Sequence, residues 1–241
     1  MRSPIFAAFG LVASLAAGAA AHASDVAHPA VVELFQSQGC SSCPPANANL
    51  LALEAKRPDI LALSWQVTYW DNLGWKDTFA SEAFTNRQYD YSHYQKQDGV
   101  YTPQVIVDGQ KELVGSDRAQ LDQVIAQAHT QGPSLSWIKG QLQVGAGKPA
   151  APTDVWLVRY DPRTINVAIR AGENGGRTLP HRNVVRELVN LGTWDGRAKT
   201  FNIPVPKLNG LSTAALVQIK AGGDILSASK DSDVARDTVS R

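Results

Sequence analysis

Both cysteines of this 241-residue chain fall in one short stretch, Gln38-Gly39-Cys40-Ser41-Ser42-Cys43-Pro44-Pro45-Ala46. An apolar, β-branched run, Val31-Val32-Glu33-Leu34-Phe35, leads into it, and a helical pattern from Ala46 to Lys56 leads out. A Cys-x-x-Cys pair between a strand and a helix puts a thiol where first-turn N–H groups lack partners and the helix dipole is positive. A thiolate at Cys40 is stabilised there, its pKa is lowered, and it becomes a better nucleophile near neutral pH. The favoured reading is a redox-active pair. Three others stay open: a structural disulfide, two unpaired thiols, or a two-thiolate metal site suited to Cu(I) rather than zinc. A staple closing so short a loop gains only roughly 2 kcal/mol by the chain-entropy estimate.

The N-terminus narrows the compartment. Arg2, the uncharged run Ile5 to Ala20 and Ala21-His22-Ala23 fit a secretory signal with an A-x-A cleavage site. Residues 1–23 are therefore expected to be removed, leaving an exported, most simply periplasmic, protein in a disulfide-permissive compartment. The mature chain carries net charge near zero and no block of like charge, which argues against nucleic acid or an anionic membrane as partner. No stable membrane insertion is expected after cleavage. Two cysteines cannot make a disulfide scaffold, and hydrophobic residues at 44% suffice for real cores.

Pro44 and Pro45 fit the first turn of a helix, where a missing N–H costs nothing. Asp59 to Val67 is a second apolar run of the buried-strand kind. An aromatic loop follows, Thr68-Tyr69-Trp70-Asp71-Asn72-Leu73-Gly74-Trp75, then a polar, tyrosine-bearing helix over Glu82 to Gln97. Gln104–Asp108 and Lys111–Gly115 read as a hairpin about Asp108-Gly109. Asp117 caps a last helix with Leu121, Val124, Ile125 and Ala128 at helical spacing. This predicts a β-α-β-α-β-β-α domain over residues 24–132, with a boundary at Gly132-Pro133. Residues 133–230 read as short strands separated by Gly, Pro and Asn, predicting a mostly antiparallel β-sandwich-like domain, with a polar tail over 231–241.

Cys40–Ala46 together with Tyr101-Thr102-Pro103-Gln104 resembles the thioredoxin superfamily, whose members set a cis-proline opposite the cysteine pair. More narrowly, VELFQSQGCSSCPPA, TYWDNLGWKD, RQYDY, VYTPQVIVDG and GENGGRTLPHRNVVR resemble a family of exported bacterial thioredoxin-like proteins of unassigned function. The family pattern often has histidine where this chain has Gln66, so no required histidine is implied at that site. The resemblance implies an α/β thioredoxin-like domain, with Pro103 in the cis-proline position.

The expected chemistry is thiol–disulfide exchange with protein or small-molecule thiols and disulfides. Cys40 is the attacking thiolate and Cys43, the more buried, resolves the mixed disulfide. Thr102, Pro103 and Trp70 are expected on the same sheet edge as Cys40, as a substrate-binding surface. Glu33 is a candidate proton relay, against the simpler reading of a paired strand charge. Trp65, Tyr69 and Trp75 are candidates for a groove or for packing, Asp71 and Asp77 for loop caps. His28, His93 and His129 read as solvent-facing; His181, in the glycine-rich Glu173–Arg186 stretch, reads as a surface or turn residue, with a ligand or interface role as the alternative. Ser41 and Ser42 add no positive charge, which predicts a middling or reducing potential. No cofactor is expected on this reading. The rival readings are a Cu(I) carrier using Cys40 and Cys43, and an interaction protein with a static disulfide.

Overall fold

The computed structural model describes residues 22–23, 26–130 and 132–231. The expected targeting segment lies outside them, except that the backbone of β1 (His22–Ala23) pairs with β6 (His129–Thr130). The first half continues with β2 (Ala30–Gln36), α1 (Cys43–Glu54), β3 (Ile60–Gln66), α2 (Glu82–Tyr94), β4 (Gln104–Val107), β5 (Lys111–Leu113) and α3 (Arg118–Ala126). The second half is β7 (Leu135–Ile138), β8 (Gln141–Val144), β9 (Thr153–Asp161), β10 (Ile165–Ala168), β11 (Thr178–His181) and β12 (Val184–Trp194). It ends with β13 (Lys199–Asn202), β14 (Ser212–Ile219) and β15 (Ile225–Lys230).

One eight-stranded mixed sheet, ordered β15-β14-β9-β12-β3-β2-β4-β5, takes strands from both halves of the chain. This overturns the expectation of a thioredoxin-like β-α-β-α-β-β-α domain followed by a separate β-sandwich-like domain. The described residues are mostly β, with three short helices among them on a sheet that runs straight across the expected boundary. The cause lies at the edge of β3. Left open, that strand would offer a row of unpaired backbone groups. Instead β12 pairs with it in parallel, Val184 opposite Ser64, and the Ser64 N–H donates to the Asn183 carbonyl at 2.9 Å. Alternating apolar residues mark a strand but not its neighbour, so the sequence pattern carried no sign of this junction. A three-stranded sheet, β13-β8-β7, packs through Leu142, Val144 and Phe201 on Val155, Ala215 and Val217 of the large sheet.

The alternation in β2 and β3 sorts the site. Val32, Leu34, Ile60 and Ala62 face α1 and α3, packing on Ala46, Leu50, Leu53, Leu121 and Ile125. Val31, Phe35, Leu63 and Trp65 face α2, packing on Phe84 and Tyr91 together with Val158 and Leu216 from the second half. In α1 the buried residues Cys43, Ala46, Asn47, Leu50 and Leu53 recur at helical spacing. Asp108-Gly109-Gln110 joins β4 to β5, with Asp108 and Gly109 at positive φ and the Gln110 N–H donating to the Val107 carbonyl at 2.9 Å. Asp117 caps α3 by accepting from the Gln120 N–H.

Glu33 shares the α2 face with Val31 and Phe35, the face turned away from the cysteine helix. It is fully buried, and its carboxylate takes Nε and Nη2 of Arg87 at 2.8 and 3.2 Å and the Tyr91 hydroxyl. Arg87 also donates to Gln218 at 3.0 Å and lies over the Trp65 ring. Burial works against the Arg87 charge, but the Glu33 carboxylate outweighs it and the guanidinium pKa is raised. Removing one partner strands a buried charge. Arg87→Leu is therefore expected to destabilise the protein by about 3–5 kcal/mol, and the double change Glu33→Leu/Arg87→Leu by much less. Urea denaturation of the three proteins checks this; equal losses in single and double variants would show that the pair is not the source of the effect.

Candidate functional site

Cys40 and Cys43 form a disulfide across the start of α1, with Pro44 and Pro45 in the first turn and no acidic residue there. The Cys43 N–H donates to the Cys40 carbonyl at 3.3 Å, which closes the turn. The Ser42 hydroxyl lies 3.3 Å from Cys40 Sγ and 3.5 Å from the Thr102 carbonyl. Thr102–Pro103 is a cis peptide, and Pro103 is buried at the start of β4. Trp70, half-buried, brings its Cβ close to Gly39. The structure thus gathers Cys40, Cys43, Thr102, Pro103 and Trp70 at one edge of the sheet. Glu33 is not among them; its carboxylate is held by Arg87 and Tyr91 on the α2 face.

Neither cysteine stands open to solvent: Cys40 is 0% and Cys43 2% exposed. The expected difference in burial between attacking and resolving thiol is absent in the disulfide state. The cover comes from the second half of the chain. Asn174, itself 0% exposed, donates its amide to the carbonyls of Gln38 and Cys40 at 2.9 and 2.8 Å. Glu173 accepts from the Ser41 N–H at 3.0 Å and from its hydroxyl at 2.7 Å. These bonds hold its carboxyl below the usual range. Arg177 secures Asn174 from below, Nη1 to Oδ1 at 2.6 Å. The covering loop needs glycine at Gly172, whose φ of +71° puts it in the left-handed region. A Cβ on Gly74 would come within 3.2 Å of the Gly172 backbone, so the covering loop and the aromatic loop meet backbone to backbone.

The aromatic loop holds the turn from the other side. Trp75 Nε1 donates to the Gln38 side-chain carbonyl at 2.9 Å, and the Gln38 N–H donates to Asp77 at 2.7 Å. Asp77 also accepts from Phe79 N–H, and Asp71 accepts from Asp77 N–H, so both acids cap the loop. Burial pushes the Asp77 carboxyl up to about 6 against the pull of the Gln38 and Phe79 N–H groups. Tyr69 donates to Gln88, and Trp65 is fully buried against Phe35 and Phe84.

Behind Cys43 a cleft of about 280 Å³ lies between α1 and β11, with Gln36, Asn47, Leu51, Arg177 and His181 in its walls. His181 is 2% exposed and meets Phe79 edge-on, which corrects the surface placement. Neither ring nitrogen has a hydrogen-bond partner, and burial pushes the imidazole pKa down to about 4. His93 is exposed and stacks on Tyr89, while the side chain of His129 lies outside the described residues. Among the described residues no group of three or more His, Cys, Asp or Glu is placed to hold a metal ion. No described helix is long and apolar enough to cross a membrane.

Sequence reasoning missed the roles of Glu173 and Asn174, and it favoured a surface place for His181 over the ligand or interface role it also raised. Their signal was the glycine-rich run Gly172-Glu173-Asn174-Gly175-Gly176, spaced for a tight loop rather than a strand.

A family model described as a protein of unknown function (DUF1223) matches residues 31–219, which include both the cysteine turn and its cover. The chain belongs to this family. A crystal structure of a protein from Agrobacterium tumefaciens is similar at 31% identity and a TM-score of 0.69, covering 83% of this chain and 92% of that one. HBP35 of Porphyromonas gingivalis is similar in fold, at 12% identity and a TM-score of 0.56, covering 85% of this chain and 75% of that one. Among curated proteins none matches. None of these likenesses places the chain in the thioredoxin superfamily.

Two outcomes follow from this geometry. Asn174→Ala removes both bonds to the cysteine turn, and Gly172→Ala strains the loop that carries them. Asn174→Ala is expected to speed reduction of the disulfide by dithiothreitol by about thirtyfold, the worth of two bonds of about 1 kcal/mol each, and Gly172→Ala by about tenfold. Unchanged alkylation rates would show that the loop does not guard the pair. The second concerns pH. Asp77 holds its proton more tightly folded than unfolded, so its contribution to stability falls as pH rises from about 4 to about 6. His181 does the reverse: its contribution is full above about 6.5 and lost as pH falls toward about 4. The two slopes oppose, each worth up to about 3 kcal/mol. Relative to the parent, His181→Phe should tilt the pH dependence toward falling stability with rising pH, and Asp77→Asn should tilt it toward rising stability. Denaturation midpoints at pH values spanning the window read the sign.

Proposed function

We propose that this protein is an exported thiol–disulfide oxidoreductase working through Cys40 and Cys43. The observation that carries the reading is the placement of the bonded pair at the N-terminus of α1, at the meeting point of three loops that are far apart in sequence. A partner thiolate attacks one sulfur of the pair, forming a mixed disulfide and releasing the other sulfur as a thiolate. A second partner thiol, deprotonated, attacks the mixed disulfide and leaves as the oxidised partner, with the protein as dithiol. In reverse, Cys40 as thiolate attacks a partner disulfide and Cys43 resolves the product. The helix N-terminus stabilises the thiolate in either direction. Glu173 opposes it, since its carboxylate sits on Ser41 and occupies that residue's N–H. That bias favours a reducing role, in line with a Cys-Ser-Ser-Cys pair that carries no positive charge of its own. Export to a periplasmic compartment, argued from the N-terminal sequence, completes the proposal.

The burial of both sulfurs favours a second reading, a static disulfide in an interaction protein. A redox titration in graded glutathione and dithiothreitol buffers, scored by alkylation, separates the two. A reversible two-electron transition above about −270 mV, with Cys40 the faster thiol, supports exchange. Resistance to reduction below about −300 mV supports the static bond. If exchange holds, Glu173→Gln should shift the transition toward more oxidising potentials and lower the Cys40 thiol pKa, because a negative charge beside the thiolate has gone. A shift the other way would remove Glu173 from the account. Copper retained by the reduced protein against a mild chelator would instead point to a carrier.

A further inference from the structure

The cleft behind Cys43 has the composition of a small-ligand site rather than of a packing defect. At about 280 Å³ it lies at the lower limit of small-molecule pockets, too small for a folded segment of another protein and large enough for a molecule of amino-acid size. Its polar walls are mostly satisfied from within. The Gln36 amide donates to Asn47 and Ser64 at 3.0 and 2.7 Å, and the Asn47 amide donates to the Pro180 carbonyl at 2.6 Å. His181 is the exception, with both ring nitrogens unpartnered although the side chain is almost wholly buried. A buried polar group left without a partner costs about 1–3 kcal/mol, so the His181 ring calls for a partner that the chain itself does not supply. At the mouth Arg177 is exposed and presents a guanidinium whose remaining N–H groups suit a carboxylate. Cys43 forms part of the wall.

We propose that this cleft binds a small carboxylate-bearing disulfide, or the thiol it yields, with His181 hydrogen-bonding its polar body and Arg177 its carboxylate. The proposal rests on the exchange reading and names the substrate class of the same cysteine pair. The balance is that of exchange. The protein dithiol, as Cys–S⁻ and Cys–SH, takes R–S–S–R to two small thiols, one released as thiolate at the first attack. The second accepts the proton of the resolving cysteine, and Cys40–Cys43 is left oxidised. His181 is a positioning residue: it hydrogen-bonds the ligand and takes no part in the electron transfer.

The test uses dithiodiglycolate, a small dicarboxylate disulfide, against cystamine, a diamine of similar size. Binding to the full chain carrying Cys40→Ser and Cys43→Ser, which cannot exchange, is measured by calorimetry. Saturable binding of dithiodiglycolate is expected, at least about tenfold tighter than cystamine, and weakened at least about tenfold by adding His181→Phe or Leu51→Trp, which fills the cleft. A second measurement needs no cysteine variant: the reduced protein should be oxidised faster by dithiodiglycolate than by cystamine, and His181→Phe should abolish that preference. Exchange with dithiothreitol is followed in parallel. If the pair exchanges with dithiothreitol but neither disulfide binds or is preferred, or His181→Phe changes nothing, the cleft proposal is overturned and the exchange reading stands. If the pair does not exchange but dithiodiglycolate binds in a His181-dependent way, the cleft stands as a binding site and the exchange reading falls.

Discussion

The site depends on one short parallel contact, β12 against β3. Ser64 and Asn183 join through a backbone bond, and the Asn183 side-chain amide ties down the Ala62 carbonyl at 2.9 Å. The β3 strand comes from the half of the chain that holds the cysteines, and β12 from the half that covers them. Once β12 is fixed in register on β3, the residues just before it have little choice. Here β11 is laid along α1, with Asn47 bonded to Pro180, and His181 is turned into the cleft. The loop upstream of β11 falls across the cysteine turn. A contact registered at a single residue pair is thus secured by the covering loop, by Asn47 and by the Arg182–Glu54 ion pair as well. Each is placed by the others, which is how a site assembled from distant segments stays rigid.

Much of this was written in local pattern, and the misses share a cause. Strands such as Gln141–Val144 and Ile225–Lys230, the Asp108-Gly109 turn and the Asp117 cap are set by alternation, turn chemistry and side-chain capping within a few residues. The cysteine turn was legible for the same reason, since Pro44 and Pro45 fix the first turn of α1. The sheet order was not, because the pleat dictates which face a residue takes and says nothing about which strand lies beside it. Thr178–His181 was missed as a strand because Pro180 and its glycine-rich approach read as loop, although a two-stranded ribbon with β10 tolerates a proline at an edge. His181, in a polar, glycine-rich stretch, favours a surface place over a ligand role by local pattern, and only the β11–α1 packing turns it inward. Glu33 was legible as a residue in need of a partner; which partner required knowing that α2 lies over β2.

Charge placement on the two faces of the sheet follows a division of labour. On the α2 face Glu33, Arg87, Tyr91 and Gln218 form a closed network, each group satisfied by another. That arrangement specifies how α2 and β14 pack and leaves no acceptor to spare for chemistry. Buried polar atoms without a partner occur on both faces, at His181 and Gln66 on the α1 side and at the Trp65 indole N–H on the α2 side. Unsatisfied buried polar atoms concentrate where a protein meets ligands, because a fully satisfied wall has nothing to offer one.

The proposed exchange needs access to sulfur, which the burial of both cysteines opposes, and magnitudes decide how serious that opposition is. Asn174 contributes two bonds to the cover, each worth about 1 kcal/mol net. The Ser41–Glu173 contact, at the surface, adds well under that. Opening the loop therefore costs on the order of 2–3 kcal/mol, which leaves it open about one part in a hundred of the time. A partner reacting only with the open form is slowed about a hundredfold, as any binding-competent minor state slows its ligand. That is a brake, not a lock. A pair that must stay unreactive until a fitting partner pulls Glu173 and Asn174 aside is served by a barrier of this size: large enough to exclude casual thiols, small enough for binding energy to overcome.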